Sequence, residues 1–120
     1  KAIIDDIAKN SINNSINYSV KIIEIHHDKK KDAPSGTALD LKQFIEFHLG
    51  KDIDIKIESL RDKSSVGRHE VIFRFDNEEI FVTHNALSRD IFGEGVRHSH
   101  FLHQKKPGLY SVEDLLTEDN

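Results

Sequence analysis

The densest run of chemically active side chains is Glu24 to Thr37, which reads E-I-H-H-D-K-K-K-D-A-P-S-G-T. Two adjacent histidines and a run of lysines lie between a β-branched stretch and a helix-opening signature. If strand geometry persists through the pair, His26 and His27 point to opposite sides and do different jobs. An imidazole titrates near neutrality and can give or take a proton. A protonated lysine can donate a proton or neutralise a carboxylate. The Ser35, Gly36 and Thr37 amides would sit unpaired at the positive end of a helix, where they suit an anion, and Gly36 would let a ligand approach the backbone closely. Together these groups suit a small, multiply anionic substrate that receives a proton. A plainer reading stays open, in which the lysines are solvated surface and Ser-Gly-Thr is a cap. No metal is expected, because His26 and His27 are adjacent rather than four apart and the lysines repel a cation.

The other candidates carry less chemistry. His69 and His84 fall in strands and read as packed, hydrogen-bonded sheet residues. His98, His100 and His103 share a segment with no acidic third ligand beside them. Arg89, after Ser88 at a strand end, can bind an anion or simply cap the next segment; it is a weak candidate for cofactor binding. Phe73, Phe75, Phe81, Phe92 and Phe101 read as core, since no basic stripe accompanies them.

Periodicity supplies the elements around these groups. Residues 1–9 read as helix from the first letter, with Ile3, Ile4 and Ile7 on one face and no cap before them, as in a helix cut in its middle. Asn10 to Ser15 suits a turn. Tyr18 to Ile25 is a β-branched strand, and Ala38, Leu41, Ile45 and Leu49 keep helical spacing up to Gly50. Asp52 to Glu58 alternates as a strand, with a polar loop expected over Arg61 to Gly67. His69 to Asp76 and Glu78 to Leu87 form a hairpin around Asp76-Asn77. Both strands carry apolar residues on each face, which implies a sheet covered on both sides by helices or by another subunit. Ser88-Arg89-Asp90 opens a helical segment to about Lys106. Residues 107–120 are a C-terminal tail containing a short capped turn at Ser111 to Leu116. The expectation is an α+β fold with a mixed, mainly antiparallel four-stranded sheet and helices on one face.

The chain has 120 residues, with 17 basic and 21 acidic side chains and a formal charge of −4. That balance gives no general attraction to nucleic acid or anionic membrane. The absence of cysteine excludes disulfides, thiolate nucleophiles and cysteine-bound metal centres. No apolar run approaches the ~20 residues of a membrane helix, so a cytoplasmic location is expected.

The run E-I-H-H-D-K-K-K-D-A-P-S-G-T-A resembles the signature of the dihydrodipicolinate reductase (4-hydroxy-tetrahydrodipicolinate reductase) family, roughly E-x-H-H-x-x-K-x-D-A-P-S-G-T-A. The likeness continues through Ser59-Leu60-Arg61, Gly67 with His69, Thr83-His84-Asn85-Ala86-Leu87-Ser88-Arg89 and Lys106-Pro107-Gly108-Leu109-Tyr110-Ser111-Val112-Glu113-Asp114-Leu115. It departs beside Gly95, where the chain is one residue short of the family pattern.

The resemblance implies residues 1–120 as the C-terminal substrate-binding and tetramerisation domain of a reductase in the lysine and diaminopimelate pathway. The Rossmann domain, which would bind most of the NADPH or NADH, is absent, since no G-x-x-G-x-x-G follows a strand. Turnover by this chain alone is not expected. By the same resemblance His26 and Lys30 are catalytic, His27, Ser35, Gly36 and Thr37 bind a small dicarboxylate substrate, and the assembly is a homotetramer. The alternative is a non-catalytic oligomerisation module derived from that domain.

Overall fold

In a computed structural model of the chain, residues 2–10, 18–50, 52–98 and 105–110 are described. The elements run α1 (Ala2–Asn10), β1 (Tyr18–His26), α2 (Gly36–Leu49), β2 (Ile55–Arg61), β3 (Gly67–Phe75), β4 (Glu79–Ala86) and α3 (Asp90–His98). The four strands form one sheet in the order β2-β1-β3-β4. β1 pairs in parallel with β2 and antiparallel with β3. A parallel pair needs a long crossover, and α2 supplies it. The expected hairpin joins β3 to β4, with the Phe75 N–H donating to the Glu78 carbonyl at 2.9 Å.

Alternation along the strands decides which side is core. Val20 and Ile22 on β1 are buried together with Val71, Phe73 and Phe75 on β3 and Ile55 on β2. Register sets Val20 opposite Phe73 and Ile22 opposite Val71. α1 contributes Ile4 to this layer and α2 contributes Ala38 and Ile45, so the helices cover this face. Each fully buried large side chain here contributes about 1.5–3 kcal/mol. On the other face Ile23, Ile25 and Ile72 are only half-buried. They lie among the ion pairs Lys21–Glu58 and Arg68–Glu70. Cover on both sides, by helices or by another subunit, is the expectation; within the single chain Phe81 is 55 % exposed. Among the described residues of 1–85, the helix side is the packed one.

The largest departures from the expected strand boundaries are in β2. β2 starts at Ile55 rather than Asp52 and continues through Arg61 instead of ending at Glu58. The reason is the partner: Ile55 is paired with Val20, and the ladder lasts until His26 meets Arg61. Ser59-Leu60-Arg61 is therefore strand, and the loop is confined to the residues between Arg61 and Gly67. The chain divides into two compact units, 1–85 and 86–120. In the second, α3 begins behind Ser88, whose hydroxyl accepts from the Asp90 N–H at 3.1 Å. The turn expected at Ser111 to Leu116, the polar turn after Asn10, and His100 and His103 lie outside the described residues.

Candidate functional site

At its C-terminal end β1 places a carboxylate where its alternation calls for a third core residue. Glu24 shares the inner face with Val20 and Ile22 and is 0 % exposed. Register sets Ser59 opposite Glu24 and Arg61 opposite His26, so the four side chains form a square on one face at the end of the parallel pair. Glu24 Oε2 is hydrogen-bonded to His26 Nδ1, and Glu24 Oε1 accepts from Arg61 Nη1 at 3.2 Å. Burial alone would push the Glu24 carboxyl up. Hydrogen bonds from Ser59, Arg61 and His26 outweigh that and hold it below the usual carboxylate range.

The loop after β1 carries the lysines. A turn closes from the Lys30 N–H to the His27 carbonyl at 3.0 Å. Lys30 Nζ lies 2.9 Å from Asp32 Oδ2. That lysine is the foremost reason the Asp32 carboxyl is lowered. The His27 ring is bonded within its own loop: Nδ1 accepts from the Lys29 N–H at 3.2 Å and lies 2.7 Å from Asp28 Oδ1. His26 and His27 thus have separate partners, as their alternation predicts.

α2 opens as expected. Ser35 is its N-cap, with extended backbone, and its hydroxyl accepts from the Ala38 N–H at 3.2 Å. No acidic residue occupies the first turn, so the helix dipole is not neutralised from within the helix. Gly36 and Thr37 are exposed. A Cβ added to Gly36 would meet nothing within 4 Å, so the space beside its Cα is open. Ser35 itself is 2 % exposed, and its hydroxyl is also 3.1 Å from His69 Nε2. Its side chain faces the protein, and it supports the exposed amides as their cap.

His69 enters from β3, its ring edge-on to His26 at 4.9 Å between centroids. It is packed and hydrogen-bonded, as its strand position suggests, and it links His26 to the α2 cap. Among the described residues, Glu24, His26 and His69 could each offer one ligand atom to a cation, within 4.8 Å of one another. The fixed Arg61 guanidinium sits on the same carboxylate and would repel that cation, so the arrangement fits a hydrogen-bonded proton site better. Arg89, exposed in the second unit, has its carbonyl accepting from the Phe92 N–H at 3.0 Å.

The motif singles out His26, Lys30 and Ser35 as candidates, and the structure adds Glu24 and Arg61 beside them, to which residue order alone assigns no role. For Glu24 the available signal was the buried-face alternation Val20, Ile22, Glu24.

The family model described as "Dihydrodipicolinate reductase, C-terminus" matches residues 2–116. The 4-hydroxy-tetrahydrodipicolinate reductase of Caldanaerobacter subterraneus subsp. tengcongensis is 40% identical over 116 residues, covering 82% of this chain and 46% of its own length. That of Syntrophotalea carbinolica is 37% identical over 118 residues, covering 82% of this chain and 44% of its own. The chain therefore spans less than half the length of these curated relatives. Among solved structures, a dipicolinate-bound dihydrodipicolinate reductase from Paenisporosarcina sp. TG-14 shares the fold. Its TM-score is 0.71 at 24% identity, over 93% of this chain and 49% of that one.

Proposed function

The chain belongs to the family of dihydrodipicolinate reductase C-terminal domains, and from that premise we propose that it is the substrate-binding domain of a 4-hydroxy-tetrahydrodipicolinate reductase. Such an enzyme converts 4-hydroxy-tetrahydrodipicolinate to tetrahydrodipicolinate in the diaminopimelate–lysine pathway: the 4-hydroxyl leaves as water, and NADPH or NADH supplies the hydride that, with one proton, completes the reduction. The β1–α2 connection does not carry a dinucleotide-binding glycine loop, so only the substrate side of the reaction is assigned to these residues.

One juxtaposition carries the reading. The loop bearing Lys30 leaves the strand end that holds His26 and runs directly into a helix start with open amides and no acidic residue of its own. The Gly36 and Thr37 amides would hold one carboxylate of the substrate, and the buried Ser35 keeps them aimed as their cap. His27, at the loop's entry, would contact the substrate. Lys30 would supply the proton that completes the reduction, with His26 as its acid–base partner. Fixing a planar dicarboxylate between these groups orients its ring for reduction. Oligomerisation alone would need none of this chemistry, which favours a substrate site over a purely structural module.

The chain should bind pyridine-2,6-dicarboxylate, a stable planar analogue, in titration calorimetry. Lys30→Ala and Gly36→Val should each weaken binding by about tenfold or more. The valine points into open space, so its effect reports the ligand rather than a clash within the protein. Binding unchanged in both variants would show that the site lies elsewhere.

A further inference from the structure

We propose that Glu24 and Arg61 are positioning residues that hold His26 and the Lys30 loop in a single arrangement, an inference that rests on the substrate-site reading above. Glu24 is fully buried, and such a carboxylate is tolerated only when it is paired and hydrogen-bonded. Its two oxygens serve different limbs of the site. One meets His26 Nδ1, which fixes the ring's orientation and leaves Nε2 as the nitrogen that can exchange a proton with a ligand. The other meets Arg61.

Arg61 carries the arrangement to the loop. Its Nε donates to the Lys30 carbonyl at 3.2 Å and its Nη2 to the Asp32 carbonyl at 2.6 Å. Its Nη1 also donates to the Leu60 carbonyl at 2.7 Å. A planar guanidinium can reach a carboxylate and two loop carbonyls together, and a lysine ammonium on a flexible stem cannot. The loop would otherwise be a polar run with little core of its own. Two backbone anchors on either side of Lys31 turn it into a platform, with Lys30 carried on the first. On the other limb, His26 packs edge-on against His69, which bonds the Ser35 cap of α2. One ion pair, with its carboxylate fully buried, therefore lies under both proton-handling side chains.

The test uses Arg61→Lys and Glu24→Gln in the chain as it stands, with folding checked by circular dichroism. Arg61→Lys should weaken pyridine-2,6-dicarboxylate binding by about tenfold. The same change made on Lys30→Ala should cost several-fold less, because Arg61 acts through the placement of Lys30. Amide exchange over residues 28–33 should quicken in Arg61→Lys and not in Lys30→Ala. In Glu24→Gln the imidazole nitrogen signals of His26 should change, since Nδ1 loses its carboxylate partner. Losses that multiply independently in the double variant, or unmoved loop exchange and His26 signals, would overturn the inference. If the unaltered chain fails to bind the dicarboxylate at all, the substrate reading falls. The exchange and imidazole measurements then decide the positioning role alone.

Discussion

His69 shows how a neighbourhood sets the chemistry of one ring. Burial, foremost, and then the positive field of His26 push its pKa down from the ordinary 6.5 to about 4, against the pull of Glu24. Folding therefore favours the neutral ring. Between those two values the unfolded chain binds more protons than the folded one, so stability falls as pH drops from 6.5 towards 4 and is unaffected above that window. Allowing for the ring's partial solvation, the loss should be on the order of 2 kcal/mol. The carboxyls of Glu24, Glu70, Asp32 and Asp62 are all lowered, and their contributions are lost as pH falls below the ordinary carboxylate range and through their depressed values. His69→Gln keeps a partner for Ser35 and removes only the imidazole titration. Urea unfolding at pH 7 and pH 4.5 should show a smaller acid loss in the variant than in the unaltered chain. Equal losses would place the acid sensitivity elsewhere.

At the scale of elements, α2 joins packing to chemistry. Its inner side buries Ala38 and Ile45, while its first turn presents open amides. Ser35→Ala would remove the hydroxyl that caps the helix and leave His69 Nε2 without that partner. The cost should be about 1–2 kcal/mol by denaturant unfolding, and an unchanged midpoint would show that the cap contributes nothing. Helix spacing and the Pro-Ser-Gly-Thr entrance made this element readable from residue order alone. β2 was less readable. Its alternation is already regular from Asp52, yet pairing begins at Ile55, opposite Val20. The same shift took Arg61 out of its expected loop and set it opposite His26. Local periodicity cannot reveal a contact between Glu24 and Arg61, which depends on the register of two strands separated by a whole helix.

For the molecule as a whole, the open question is what meets the second face of the sheet. No helix among the described residues is long and apolar enough to cross a membrane. Half-buried Ile23, Ile25 and Ile72, with exposed Phe81 and Leu60, leave apolar surface between ion pairs on that side. We propose that further copies of the chain cover it, giving the homotetramer implied by the family resemblance. Sedimentation at micromolar concentration should show an assembly of four, and Phe81→Asp should shift it towards smaller species. A monomer in the unaltered chain would end this proposal.

The square formed by Glu24, His26, Ser59 and Arg61 also bears on how the chain avoids misfolding. β1 is apolar on both faces, so its hydrophobic pattern alone discriminates weakly between alignments with β2. A slip of one residue would carry Arg61 to the opposite face and strand a buried carboxylate without its cation, at a cost of several kcal/mol. The ion pair is therefore a checksum on strand alignment. A molecule that passes it has, by the same contact, already brought its proposed proton-handling groups into place.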